Sequence, residues 1–424
     1  MPLLTKRDDI EVVLWTEDRV SDRQWLLENV KGAVGIVIVF SELVDAELLD
    51  AAGPNLKVVS TMSVGYEHIH VPELAKRNIR LGYTPDVLTD AVADISVMLA
   101  LMAGRNANET MGIVREGLWP KFIWAPFALC GPQLSTSGVS PSRTVGFLGF
   151  GRISHATLAR LIPFGVTDCI YSSNPNSSTS HKKERDEKLL GQHQPQLKSL
   201  RAVDLDTLGR ESDVLFILAP GGPSTQHLVN EDFLRKMKKH SVLVNAGRGT
   251  VVDSDALAKA LREKWIWGAG IDVVEGEPNV GKDHPLLKEP RCNILPHIGS
   301  ASFETRLAMA TLAVDNCLAE SFFVISIAIT ETDPVFFFIF SPATWYHAKM
   351  KSPSKICHMD SFSSNAANDV VPDGKSFLPQ IFDPHAIHYC LNAAVDLLPL
   401  CSLLVIYSRT FTPCLRLIER PIAV

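Results

Sequence analysis

The chain has no basic excess. Its 41 Lys and Arg are outnumbered by 47 Asp and Glu, for a formal net charge of −6, whereas a nucleic-acid binder needs cations to neutralise phosphates. It has no C-x-x-C pair. Its eight cysteines are scattered without framework spacing, which points to free thiols in a reducing compartment rather than a disulfide scaffold. His68 and His70 stand close together, but no Cys or carboxylate set completes a zinc pattern around them, so no metal is expected. The stretch "MPLLTKRDDIEVVLW" meets charge at Lys6 and offers no apolar h-region. We therefore expect no secretory signal and a cytoplasmic protein. No run supplies the roughly 20 clean apolar residues of a membrane span; "CLNAAVDLLPLCSLLVIY" is broken by Asp396 and Pro399. Neither nucleic acid nor membrane is an expected partner.

What the 424 residues do have, up to about residue 320, is a regular alternation of element signals. "VVSTM" at 58–62 reads as a short buried strand. "DVLTDAVADISVMLALMAG" at 86–104 carries apolar residues at helical spacing and reaches a C-capping glycine at Gly104. The prolines of "GLWPKFIWAPFALCGP" argue against one long helix there. From Thr144 the order is strand "TVGFLGF", helix "RISHATLARLIPFG", strand "DCIYSS". A polar interruption over 174–199 follows. Strands "DVLFILAP", "SVLVNAG", "GAGIDVV" and "CNILP" come next, with helices "NEDFLRKMKK" and "SDALAKALRE" between the first three. Alternating strands and helices predict a parallel, doubly wound α/β sheet, and strands filled with Val, Ile and Leu fit one covered on both faces.

Ligands bind such sheets beyond the carboxyl ends of the strands. Chemistry is therefore sought at 149–154, 171–174, 219–222, 246–249, 274–278 and 297–300. In "GFGRIS", Gly149 permits the tight turn, Gly151 lets backbone approach a pyrophosphate, and Ser154 stands where a third glycine is usual. The segment reads as a dinucleotide loop in which Arg152 and Ile153 open the helix; a packing glycine pair is the alternative. An NAD site usually shows an acid about 20 residues further on. Here Ser172, Ser173 and Asn174 stand there, with Lys182, Lys183 and Arg185 downstream. NADPH is thus favoured over NAD, although the cations also fit a solvated loop.

Three later strand ends carry Arg248, Glu277 and His297. An arginine can grip a carboxylate in bidentate fashion. Hydride addition to a carbonyl needs a proton donor beside the oxygen, and a histidine backed by a carboxylate suits that task. Each residue alone also fits a surface or turn position. Together, in this order on this fold, they read as a site for reducing a 2-oxo acid.

The sequence resembles the D-2-hydroxyacid dehydrogenases, in particular their glyoxylate reductase/hydroxypyruvate reductase branch. The resemblance runs from about residue 8 to 320 through "LKVVSTMSVGYEHI", "GYTPDVLTDAVAD", "VGFLGFGRIS", "NAGRGTVVDSDAL", "GAGIDVVEGEP", "HPLL" and "ILPHIGSAS". It implies that Arg248 binds and polarises substrate, and that Glu277 pairs with the acid/base His297. It implies a carboxylate cradle at Ser63, Val64 and Gly65. Asp272 would hold the nicotinamide carboxamide, and Ala219, Pro220 and Gly299 would line the cofactor. Trp124 would reach into a partner subunit, implying a homodimer. The expected reaction is reduction of glyoxylate or hydroxypyruvate to glycolate or D-glycerate. Alternatives are another dehydrogenase of the family, such as a phosphoglycerate type, or a corepressor-like dinucleotide sensor.

The expected layout is two doubly wound domains: a flavodoxin-like substrate domain over 1–104 and an inserted Rossmann domain over 105–298. A return helix at 299–320 follows. Compared with the family, the substrate domain begins about one βα unit late. Residues 321–424 read as an unpatterned tail, disordered or an artefact of the gene model.

Overall fold

Two sheets carry the molecule, one mixed and one wholly parallel. The computed structural model describes residues 10–17, 19–136, 142–173, 179–321 and 403–408, all within one unit made of Met1–Phe322 and Ala394–Val424. The first sheet is built from β1 (Ile10–Trp15), β2 (Gly35–Ile38), β3 (Val58–Thr61) and β4 (Arg80–Gly82), with α1 (Arg23–Asn29), α2 (Ala46–Ala52) and α3 (Val71–Lys76) between them. β2, β3 and β4 run parallel. Between β1 and β2 lies β12 (Leu403–Ser408), antiparallel to both.

β12 corrects one expectation. Residues 321–424 do not lack regular structure throughout, because 403–408 form a strand. The segment "LLVIYS" is rich in β-branched and aromatic residues, which suit a pleated surface. Such a run is ambiguous in sequence, because nothing nearby reveals which strands it joins.

The second sheet has order β11-β10-β9-β8-β5-β6-β7, all parallel. Its strands are β5 (Thr144–Leu148), β6 (Asp168–Ser172), β7 (Ser199–Ala202), β8 (Val214–Ile217), β9 (Val242–Asn245), β10 (Gly268–Ile271) and β11 (Cys292–Ile294). β8, β9 and β10 are buried at every position, as a sheet covered on both faces requires. The covering helices include α6 (Arg152–Leu161), α7 (Thr179–His193), α8 (Leu205–Glu211), α9 (Glu231–Lys236) and α10 (Ser254–Arg262). Three of them start at a side-chain cap: Asp204, Asn230 and Asp253 accept from the amides of Thr207, Phe233 and Ala256. The chain runs outward from β5 through β6 to β7, then returns to β8 on the other side of β5. The crevice this reversal opens is where open α/β sheets bind ligands.

α4 (Thr89–Gly104), the last element of the expected substrate domain, lies against β9, β10 and α6. Glycines on β10 permit the approach: a Cβ on Gly270 would stand 2.7 Å from the Leu99 carbonyl oxygen. Gly104 is the last helical residue rather than the cap. α5 (Ala107–Arg115) and a short turn at Trp119–Lys121 follow. α11 (Phe303–Ser321) returns to pack on β2, β3 and β4. No helix among the described residues is long and apolar enough to cross a membrane.

Candidate active site

The glycine loop sits at the reversal between β5 and β8. Gly149 has φ +88°, a left-handed conformation that L side chains rarely adopt. A Cβ on it would also lie 2.7 Å from the Ala219 nitrogen. Its N–H donates to the Ser172 carbonyl at 2.8 Å, tying the loop to the end of β6. Gly151 differs: a Cβ there would meet nothing within 4 Å. The bare backbone therefore faces open space at the start of α6, where first-turn N–H groups lack helical partners and favour an anion. Ser154 is buried and donates its hydroxyl to the Gly149 carbonyl at 2.7 Å, so it packs as a third glycine would and braces the loop besides. These residues fit a dinucleotide pyrophosphate.

The other expected cofactor residues distribute unevenly. Ile153 joins an apolar cluster with Val64, Val92 and Ala246, which brings the glycine loop beside the expected cradle and the Arg248 loop. Ala219 is buried and Pro220 exposed. Arg152 pairs with Asp86, Nε to Oδ1 at 2.7 Å. Ser172 and Ser173 are half-buried at the end of β6; Asn174 lies outside the described residues. Arg185 is engaged elsewhere: its guanidinium lies over the rings of Phe150 and Tyr171 and donates to Asp186 and the Tyr171 hydroxyl. Lys183 lies 3.8 Å from Glu187.

Both oxygens of the buried Asp272 accept backbone N–H groups, Oδ1 from Ile298 and Oδ2 from Gly299, each at 2.8 Å. Burial pushes its carboxyl up, and these amides offset only part of that. The aspartate thereby clamps the turn that carries His297, a residue held at φ +54°. His297 Nδ1 lies 2.8 Å from Glu277 Oε1. The other Glu277 oxygen accepts from the Val274 amide at 3.2 Å, so backbone fixes the carboxylate that orients the imidazole. Both side chains stay about a third exposed, open to a reactant.

Arg248 follows β9. The Asn245 side chain accepts from the Gly247 amide and donates to the Arg248 carbonyl, which shapes the loop. A Cβ on the adjacent Gly249 would fall 2.1 Å from the Val274 carbonyl carbon. The Arg248 loop therefore lies directly on the segment leading to Glu277. At the end of β3, Ser63 donates its hydroxyl to the Gly65 carbonyl at 2.5 Å and lies 2.9 Å from the Thr61 hydroxyl. A Cβ on Gly65 would lie 1.7 Å from Arg248 Nη2, so the expected cradle and the arginine are in contact. Trp124 is not gathered into this group; it is 83% exposed, near the similarly exposed Ile123 and Phe127.

Three contacts were not foreseen in the sequence. The Phe40 ring stacks on His297 with centroids 5.3 Å apart. Glu67 pairs with Arg248, Oε1 to Nε at 3.0 Å. His227 pairs with Glu275 at 3.0 Å, linking the loop after β8 to the one that carries Glu277. Glu67 lies inside the "VGYEHI" motif, and its charge next to a carboxylate cradle was the available signal. Nothing local marks Phe40.

Comparisons with known proteins show the chain's family. Residues 97–299 match the family described as D-isomer specific 2-hydroxyacid dehydrogenase, NAD binding domain. The human glyoxylate reductase/hydroxypyruvate reductase is 41% identical over 319 residues, covering 74% of this chain and 89% of that protein. A glyoxylate reductase of Thermofilum pendens is 42% identical over 308 residues, covering 73% and 84%. Among solved structures, an NADPH-dependent glyoxylate/hydroxypyruvate reductase of Sinorhizobium meliloti, in complex with NADP and malonate, superposes with a TM-score of 0.54. That pair is 33% identical, covering 72% of this chain and 84% of that one. The chain belongs to the D-isomer-specific 2-hydroxyacid dehydrogenase family and is an NAD(P)-dependent oxidoreductase.

Proposed function

We propose that the chain reduces glyoxylate or hydroxypyruvate to glycolate or D-glycerate, with NADPH as the preferred cofactor. The observation that carries this reading is the His297–Glu277 pair at 2.8 Å, in which Glu277 stands on a loop in contact with the one that presents Arg248 beside Gly65. The backbone at Ser63, Val64 and Gly65 and the Arg248 guanidinium would hold the substrate carboxylate, the latter by charge-assisted hydrogen bonds. His297 would donate a proton to the carbonyl oxygen as that oxygen gains charge, and Glu277 would stabilise the imidazolium and keep the ring aimed. Bound at the glycine loop, the nicotinamide cofactor would supply the hydride. Asp272 would accept from the nicotinamide carboxamide through lone pairs left by its two backbone bonds.

NADPH preference is supported by the end of β6, where Ser172 and Ser173 replace the usual acid. Asp186, the acid that α7 brings to this strand, is taken up by Tyr171 and Arg185. The Sinorhizobium meliloti relative, an NADPH-dependent reductase solved with NADP, points the same way. We assign the substrate domain to 1–104 with the return helix, the cofactor domain to 105–298, and a homodimer contact to the exposed segment holding Trp119, Ile123, Trp124 and Phe127. In that dimer Trp124 would enter the partner's site.

The test is consumption of NADPH, with NADH in parallel, by the purified chain given glyoxylate or hydroxypyruvate. Turnover faster with NADPH and reduced at least a hundredfold in His297→Ala is the expected result. Cofactor binding without turnover of either acid would defeat the reading.

A further inference from the structure

Glu67 holds Arg248 from the opposite sheet. It stands on the loop after β3, while Arg248 stands on the loop after β9. Two glycines wall the pair. A Cβ on Gly65 would lie 1.7 Å from Arg248 Nη2 and 2.4 Å from Glu67 Oε2. A Cβ on Gly221, on the loop after β8, would lie 3.1 Å from Arg248 Cγ and 3.4 Å from Glu67 Oε1. The guanidinium is planar, so two fixed bonds set its orientation. Nε donates to Glu67 at 3.0 Å and Nη1 to the Gly247 carbonyl at 2.8 Å, and Nη2 is left against Gly65. Burial pushes the Glu67 carboxyl up, but Arg248's charge helps bring it below its ordinary range, so it is ionised at neutral pH. Burial lowers the neighbouring His68, which keeps that imidazole neutral there.

The pair's exposure argues against a purely structural purpose. The two side chains are 30% and 52% exposed, and ion pairs so solvated add little to stability. We propose that Glu67 is a positioning residue: its carboxylate fixes the plane of Arg248 and keeps Nη2 over the Gly65 cradle, so that a substrate carboxylate meets a preset guanidinium. Released from Glu67, the arginine would have to order its side chain on each binding event. The inference rests on the reading of Arg248 as the substrate-binding cation.

The experiment compares Glu67→Ala, Glu67→Asp, Glu67→Gln and Arg248→Ala in the full chain. It measures KM for glyoxylate and for NADPH, kcat, and the Kd of oxamate for the NADPH complex. Oxamate binding reads the carboxylate site without turnover. Glu67→Ala is expected to raise the glyoxylate KM and the oxamate Kd about tenfold or more, with the NADPH KM and the thermal midpoint unchanged. Glu67→Gln keeps the oxygen at Nε and is expected to recover most of the loss. Glu67→Asp keeps the charge but withdraws it by a methylene, and is expected to behave like Ala; it decides the matter should Glu67→Ala fail to fold. An unchanged or lowered KM in Glu67→Ala overturns the inference, as does retention by Asp with loss in Gln. If Arg248→Ala leaves oxamate binding intact, the reading of Arg248 itself fails. If Arg248→Ala abolishes it while Glu67→Ala does not, only the role of Glu67 falls.

Discussion

Single residues separate what holds the glycine loop from what the loop holds. Gly149 combines φ +88° with a would-be Cβ contact of 2.7 Å to backbone. Gly149→Ala is expected to cost about 1–3 kcal/mol of stability and lower the thermal midpoint. Gly151 has neither constraint, with φ −103° and open space ahead. Gly151→Ala should therefore unfold at the parent's temperature yet bind NADPH at least tenfold more weakly, because its methyl group enters the space read here as the pyrophosphate's. Unaltered NADPH affinity in Gly151→Ala would put the pyrophosphate somewhere else. At this scale Arg248, Glu277 and His297 were legible as a set placed after successive strands rather than singly, and the structure sets Glu277 against His297 and the Arg248 loop against the segment leading to Glu277. The sequence was silent on Phe40, whose partner His297 lies more than 250 residues away in the chain, since a stacking contact leaves no local pattern.

Elements depend on residues that tie strand ends together, and Asp213 is the clearest of these. It stands at the head of β8. Its Oδ2 accepts from the Thr144 amide at the start of β5, and its Oδ1 faces Lys238 and His240, each at 2.9 Å, just before β9. Burial pushes this carboxyl up, but the hydrogen bonds from Lys238, Thr144 and His240 outweigh it and the folded value is lowered. The unfolded chain therefore binds the proton more readily. The stabilisation is present above the ordinary aspartate value of about 3.9 and is lost as pH falls through the lowered folded value. Asp213→Asn is expected to lose about 1–3 kcal/mol at neutral pH. Denaturant titrations should show its gap to the parent narrowing below about pH 4, whereas a constant gap would mean that the charge plays no part. Strands with continuous apolar runs, such as β8 and β9, were legible because burial on both faces dictates them. α7 and β7 were not. They fall in the polar interruption at 174–199 and just past it: α7 is mostly polar, and β7 is an edge strand with its last two residues exposed, so hydrophobic periodicity had little to report.

For the whole molecule, the strand order makes the sheet that carries the proposed carboxylate cradle depend on a distant segment. β12 pairs with β1 from Ile10↔Ser408 to Trp15↔Leu403, and with β2 from Gly35↔Ile406 to Val37↔Leu404. In the described sheet β12 is the neighbour through which β1 joins β2. β1 supplies Trp15 to the cluster holding Leu26, Ile36 and Val59. It also supplies Ile10 to the cluster that binds α11 through Ala313, Val314 and Cys317. Deleting residues 403–408 would strand the ladder groups of β1 and expose an edge of β2, and unpaired backbone groups of this kind are costly to keep buried. The loss should stay on one sheet, because β5 to β11 share no ladder with β12. Hydrogen exchange is expected to speed up at the amides of β1 and β2 and to stay slow at β5, β8 and β9. On the proposed function, NADPH affinity should change little, because the segment matching an NAD binding domain holds the seven-stranded sheet, while the KM for the proposed oxo acid rises because β3, which leads into Ser63, Val64 and Gly65, pairs with the weakened β2. Slow exchange surviving in β1 after the deletion would mean that another segment takes the slot. Faster exchange in both sheets would mean that the two sheets unfold together, which would make the contact of α4 with β9, β10 and α6 the stronger coupling.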